Sequence, residues 1–278
     1  MHTFKKLDIR VFDAFIQKFA EKYLEQRSYA NFNYADLDGK LFSDVGFNTD
    51  ELKKIITQNA VAIDLKRENG EQPQAVRDIF RSDLGELLMT YYFEEKLPDG
   101  ERFVIPLKNI SFRERADMPG RGLDAIGYQL DDTSVKILLG EAKVSAAKEN
   151  PPSVVDTNKD SLYATHKNYH ENPPIVIQRL TEYCKRLNPK DASILGLAII
   201  LINNNESDKY SITYGCTLIR DYECVDEEKD FGKLKNNSVE FEPNSVHFSI
   251  LSFSNKTIDE TVDEFYHKVR ELITPKDE

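Results

Sequence analysis

Apolar residues recur along the chain at two spacings, and the switches between them divide it into elements. Over the first seventy residues Val11, Phe12, Phe15, Phe19 and Leu24 follow helical spacing. After a loop around NFNYADLDGK, the segment NTDELKKIITQ predicts a second helix, with Thr49 as its cap and Glu51 close behind. A longer helix is predicted to start near Pro73, where Val76, Ile79, Phe80, Leu84, Leu87, Leu88 and Tyr91 form an apolar stripe, and LPDG stops it after Lys96. Three strands follow over 103–111, 122–130 and 135–144, the last two joined by the polar turn DDTS. Pro106 cannot donate to a ladder, so the first of these is an edge strand or bulged. The rest predicts a helix over about 174–187, the run ILGLAIILI as a fully buried strand, strands over 210–219 and 246–253, and the closing amphipathic helix TIDETVDEFYHKVRELI. That order predicts a mixed α/β protein with helices flanking a central sheet.

Composition narrows the class. The chain has 278 residues, 31% charged and 10% aromatic, with no repeat or low-complexity tract, as in an ordinary folded protein. Its longest apolar stretch, residues 194–202, is too short for a membrane span, and the start MHTFKKLDIRVFDAF has no apolar signal core, so the expected compartment is the cytoplasm, with no membrane partner. Cys184, Cys216 and Cys224 have no C-x-x-C spacing, which argues against a disulfide framework and a zinc knuckle and leaves them as reduced packing residues. The net charge of −11 opposes unassisted binding to nucleic acid. That charge is uneven: between residues 101 and 150 eight basic and eight acidic residues cancel, so the remainder carries all of it.

The candidate chemistry lies in this neutral stretch. Alternation along ILLGEAK places Val135, Ile137, Leu139, Glu141 and Lys143 on one face of a strand. If DDTS is a four-residue hairpin loop, Leu130 faces Val135, Tyr128 faces Ile137, Ile126 faces Leu139, and Asp124 faces Glu141. Cross-strand partners share a face at roughly 5 Å, so two carboxylates meet at the end of an apolar ladder, where they repel. Protonation of one of them or a nearby cation relieves this. Lys143 supplies part of the compensation, and a divalent ion that prefers hard oxygen ligands, Mg²⁺ or Mn²⁺, would supply the rest. Glu86, on the border of the helical stripe, offers a third carboxylate, with Asp83, deeper in the stripe, second. The plainer alternative is a surface ion pair at a sheet end. Other E-x-K triplets, such as those at Glu94 and Glu227, follow no apolar strand with an upstream G-x-D.

Glu86 on a helix, G-x-D at Gly122 to Asp124 and E-x-K at Glu141 to Lys143 resemble, in that order, the PD-(D/E)xK nuclease superfamily, with Leu123 where that pattern has proline. The resemblance implies a restriction-endonuclease-like central mixed sheet flanked by helices, over residues 71–278, behind a mainly helical N-terminal extension over 1–70. It also implies that Asp124 and Glu141, with Glu86, bind a catalytic Mg²⁺ or Mn²⁺ and that Lys143 acts on the attacking water. Gln178 resembles a glutamine that some of these nucleases carry on the helix after the catalytic strand, although Tyr183 is five residues on rather than four. Arg113, Arg115 and Arg121 are candidate phosphate contacts, with solvated loop charges as the alternative. His166 and His170, four apart within THKNYHENPP, read as a polar loop pair rather than metal ligands.

More narrowly, RSDLGELL, MPGRGLDAIGY and ILLGEAK are similar to the HamA family, the nuclease subunit of the Hachiman anti-phage system, whose partner is the helicase HamB. The nuclease AbpA of the AbpAB pair resembles these segments too. The HamA resemblance implies DNA as substrate and a helicase subunit that restrains cleavage. Two other functions compete: a catalytically silent nuclease-fold subunit that docks a helicase or DNA, motivated by the acidic balance, and a nucleotide phosphohydrolase, disfavoured by the lack of a P-loop or an H-D constellation.

Overall fold

The computed structural model describes residues 1–10, 12–28, 37–60, 74–112, 122–131 and 134–273. Six strands among them, Thr3–Ile9 (β1), Val104–Lys108 (β2), Ala125–Leu130 (β3), Val135–Ser145 (β4), Tyr210–Asp221 (β5) and Ser245–Phe253 (β6), form one mixed sheet in the order β1-β6-β5-β4-β3-β2. β1, β6, β5 and β4 run parallel, and β3 and β2 join antiparallel. The helices are Ile16–Ser28 (α1), Gly39–Asp44 (α2), Thr49–Ala60 (α3), Gln74–Tyr91 (α4), Ser153–Asp156 (α5), Leu162–Glu171 (α6), Pro173–Cys184 (α7), Pro189–Asn203 (α8), Gly232–Asn236 (α9) and Ile258–Ile273 (α10). The expected α/β class, a mixed sheet flanked by helices, is what the chain forms. No helix among the described residues is long and apolar enough to cross a membrane.

The chain divides into two compact units. The first takes Met1–Arg10, Gly85–Lys108 and Gly122–Ile258 and contains the whole sheet; the second takes the described residues within Val11–Leu84, Asn109–Arg121 and Asp259–Glu278. In the second, Tyr23, Phe80, Phe265 and Tyr266 pack ring against ring at 4.6–5.6 Å. The hydroxyls of Tyr266 (2.9 Å) and Tyr23 (3.4 Å) donate to the buried Asp83.

The β3–β4 register is the one the turn dictates. Ser134 donates through its N–H (2.7 Å) and hydroxyl (2.8 Å) to the Asp131 carboxylate, and the Asp131 N–H donates to the Ser134 carbonyl (3.1 Å). Leu130 then pairs with Val135, Tyr128 with Ile137 and Ile126 with Leu139. β2 is an edge strand, and its register slips between Val104 and Leu107, around Pro106.

Three local expectations fail, and one strand was not expected. Ahead of the expected helices, β1 forms an outer strand parallel to β6, held by the main-chain ladder and by Phe4, whose ring meets Phe231 edge-on at 5.4 Å. The cap of α3 is Asn48 rather than Thr49, because the Asn48 Oδ1 accepts from the Glu51 N–H (2.9 Å) and the Glu51 carboxylate accepts from the Asn48 N–H (3.0 Å), a reciprocal capping box. The run ILGLAIILI lies in α8, with Leu195, Ala198 and Ile202 buried while Leu197 and Ile200 face outward. Asn188 caps that helix through the Asp191 N–H (3.0 Å), and Pro189 occupies its first turn, the position where a missing N–H costs nothing. Finally, THKNYHENPP is largely helical: Ser161 caps α6 through the Ala164 N–H (3.1 Å), and the face it buries, Leu162, Tyr163, His166 and Tyr169, is aromatic with polar tips, so its periodicity is invisible on a hydropathy scale.

His247 on β6 gives the sheet a pH dependence. It is buried against Phe93 and Tyr92, whose hydroxyl lies 2.8 Å from Nε2. Burial first, and Lys5 second, lower its pKa from 6.5 to about 4. A depressed folded-state pKa means stability that is complete above 6.5 and is lost as pH falls toward 4, because only the unfolded chain takes up the proton in that window. Relative to His247→Phe, the wild-type chain is expected to lose about 3 kcal/mol across this window. Urea denaturation of both proteins at stepped pH measures it, and parallel curves would contradict the assignment.

Candidate functional site

β3 and β4 carry Asp124 and Glu141 to the same end of the sheet. The hydrogen-bonded ladder ends with Ala125 opposite Gly140, one step short of these two residues. Asp124 closes that end itself: its N–H donates to the Gly140 carbonyl (3.0 Å) and its Oδ2 accepts from the Ala142 N–H (2.7 Å), so its two bonds bracket Glu141. Both carboxylates are buried, at 8% and 7% exposure. Lys143, one strand repeat on, places Nζ 3.2 Å from Glu141 Oε1 and 2.9 Å from Oδ1 of Asp160, which lies just ahead of α6.

The other Glu141 oxygen, Oε2, is buried and has no hydrogen-bond partner among the described residues. Burial, and next the Asp124 carboxylate, push the Glu141 pKa up to about 8 against the pull of Lys143. Burial acts on the Lys143 ammonium in the opposite sense, but Glu141 and Asp160 more than reverse it and hold its pKa above the ordinary lysine value. Lys143 is therefore a fixed positive charge. Glu141 ionises only at a cost, which a further cation would offset.

Among the described residues no three His, Cys, Asp or Glu side chains converge as a ready-made ligand cluster. A hard ion that keeps several waters and takes one or two carboxylates does not need one. The bare Oε2 of Glu141 beside Asp124 fits such an ion in donor chemistry.

α4 approaches β4 from the other side. A Cβ on Gly85 would lie 2.8 Å from Val144 Cγ2 and 3.8 Å from Ala142 Cβ, and strand alternation puts those two side chains on the face opposite Glu141 and Lys143. Glu86, buried at 2% exposure, follows directly on this contact. Asp83, the second candidate, is engaged by the two tyrosine hydroxyls of the second unit. Because the neighbour at Gly85 is a stiff β-branched side chain, Gly85→Val is expected to cost about 1–3 kcal/mol by overpacking. Chemical denaturation measures the loss, and an unchanged midpoint would mean that the helix has room to move.

On α7 the residue turned toward the site is not Gln178, which is exposed and donates to Glu182 (3.3 Å). Its neighbour Arg179 lies against the G-x-D backbone: a Cβ on Gly122 would be 3.0 Å from the Tyr183 hydroxyl and 3.7 Å from Arg179 Cζ. Gly122 has φ +98°, so glycine is needed there for conformation as well as for space. Arg179 and Tyr183 have the four-residue spacing that Gln178 lacks, and that spacing was the available clue.

His166 is fully buried, neither ring nitrogen has a partner among the described residues, and burial followed by Lys143 lowers its pKa to about 3, so the imidazole is neutral. His170 instead meets the Tyr214 hydroxyl at 3.2 Å, so the two histidines flank Tyr214. Arg113, Arg115 and Arg121 lie outside the described residues.

Compared with known proteins, the chain matches the HamA family model over residues 8–269. No curated protein and no solved structure matches it.

Proposed function

The chain belongs to the HamA family, a component of the Hachiman anti-phage defence system, and from that premise we propose that it is a metal-dependent deoxyribonuclease acting in the cytoplasm under the control of a helicase subunit. The observation that carries the proposal is the buried Asp124–Glu141 pair, with one oxygen lacking a hydrogen-bond partner among the described residues, beside a fixed lysine charge.

In this proposal Asp124 and Glu141 would hold Mg²⁺ or Mn²⁺, with Glu86 the remaining acidic candidate. When bound, such an ion lowers the pKa of a water and offsets charge on the phosphoryl oxygens. The protein's own contribution is positional. The Ala142 N–H fixes the Asp124 carboxylate, and Lys143, anchored by Asp160 and Glu141, presents an ammonium to a water or a phosphoryl oxygen. Held by these two carboxylates, the Lys143 ammonium is a hydrogen-bond donor in this arrangement. Its charge favours a transition state in which negative charge grows on the oxygens around phosphorus.

A second function, a silent subunit that docks a helicase or DNA, draws support from the net charge of −11 and the lack of a three-ligand cluster among the described residues. Plasmid and linear duplex DNA incubated with the chain, alone and with its helicase partner, in Mg²⁺, Mn²⁺ or EDTA, separates the two. Metal-dependent loss of DNA supports the nuclease. Intact DNA in every condition, with the complex still forming, supports the silent subunit.

A further inference from the structure

One helix face beside the carboxylates departs from the acidic character of the chain. Between Pro173 and Leu187 the charged residues are Arg179, Lys185 and Arg186 against Glu182 alone, in a protein of net charge −11. Arg179, Tyr183 and Arg186 fall at i, i+4 and i+7, one stripe along α7 and the turn that follows it. Arg186 sits over the Tyr183 ring, its Cζ 5.9 Å from the centroid. Arg179 is held on its own helix, where Nη1 donates to Glu182 Oε2 (3.0 Å), and its guanidinium lies within electrostatic reach of the hydroxyl of the buried Tyr169 on α6. Tyr169 lies within electrostatic reach of Glu141, and the Arg179 fork lies against Gly122, two residues before Asp124. The stripe thus starts next to the carboxylates and leads away from them over the rigid edge of a buried tyrosine.

A planar, permanently charged fork held in this way is suited to bidentate recognition of a phosphate oxygen pair. Tyr183 is buried, so it acts as a floor under the arginines and offers no face for a base to stack on. We propose that the α7 face bearing Arg179 and Arg186 is the track along which the phosphodiester backbone of the nucleic-acid substrate lies as it passes Asp124 and Glu141. This rests on the nuclease proposal for the site and adds to it the element that binds the backbone. Such a contact carries no base preference, because it touches only phosphate.

The test uses the full-length chain in EDTA, where cleavage is silent, with a fluorescently labelled DNA duplex and anisotropy measured across a range of salt. Each of Arg179→Ala and Arg186→Ala is expected to weaken binding and to lower the slope of log affinity against log salt by about 1, and together by about 2. Lys209→Ala removes the same charge at the far end of β5 and is expected to leave the slope unchanged. Glu182→Gln frees the Arg179 fork and is expected to tighten binding, an outcome that misfolding cannot mimic. No salt-dependent binding by the wild-type chain, or slopes unchanged in both arginine variants, would overturn the track. Cleavage in Mn²⁺ is followed in parallel. Wild-type cleavage with unaltered slopes would overturn the track and spare the nuclease, whereas arginine-dependent binding without cleavage, with the helicase subunit added as well as without it, would spare the track and remove the nuclease.

Discussion

Glu141→Gln is expected to reduce metal-dependent DNA cleavage by about a thousandfold or more while leaving the chain folded. The substitution keeps the shape of the side chain and removes the charge that faces Asp124 across the strand ends. Two effects follow with opposite signs. Activity falls because the neutral amide cannot hold a divalent ion beside Asp124. Stability without metal does not fall, because a buried carboxylate next to another carboxylate opposes folding wherever it is ionised.

The pH dependence separates these effects from simple misfolding. The Glu141 pKa is raised from 4.5 to about 8 in the folded chain, so its contribution is complete below 4.5 and is lost as pH rises through about 8. In EDTA the wild-type chain is therefore expected to lose stability relative to Glu141→Gln over that interval. Lys143→Met should abolish cleavage to a similar degree, since it removes the ammonium that contacts Glu141. Denaturation of both variants together with a plasmid-cleavage assay provides the check. Full cleavage by Glu141→Gln, or a Glu141→Gln chain less stable than wild type at neutral pH, would remove the site from the proposed function.

The second large effect concerns the segment that leaves β4 after Lys143. Arg220 on β5 is fully buried and makes five hydrogen bonds. Nε donates to Asp230 (3.3 Å), Nη1 to the Ala147 carbonyl (2.6 Å), and Nη2 to the Glu149 carbonyl (3.0 Å), Asn150 Oδ1 (2.5 Å) and the Cys224 carbonyl (2.7 Å). One side chain thus ties residues 147–150, just beyond β4, to the loop after β5. Arg220→Ala leaves the buried Asp230 charge without its cation and three carbonyls without their arginine donor, and is expected to cost about 3–5 kcal/mol. The corresponding fall in melting temperature is on the order of 10 °C. Removing both charges together, in Arg220→Met with Asp230→Leu, should cost less than the single change, because no buried anion is left alone. A loss below about 1 kcal/mol for Arg220→Ala would mean that water replaces the arginine at this site.

Sequence pattern alone determined the parts of this protein that depend on short-range repetition. The β3–β4 hairpin, its register through Leu130 and Val135, the edge position of β2 at Pro106, and helices α4, α7 and α10 all follow from periodicity and turn chemistry acting over a few residues. The convergence of Asp124 on Glu141 belongs to the same class, since it follows from counting along a hairpin. Tertiary structure decided what local repetition leaves open. An apolar run such as 194–202 suits a helix or a buried strand, and docking selected the helix, although the Asn-Pro cap at 188–189 was already present. Which of two adjacent residues on a helix meets the site, Arg179 rather than Gln178, is set by how α7 rotates against the Gly122 backbone, a contact fifty-seven positions away in the chain. Asp83 and Glu86 share a helix, yet the two tyrosines that claim Asp83 come from α1 and α10. Outer strand β1 exists because β6 offers it an unpaired edge, for its own residues carry no strong alternation. In each case the deciding energy comes from partners distant in sequence, which a window of neighbouring residues does not contain.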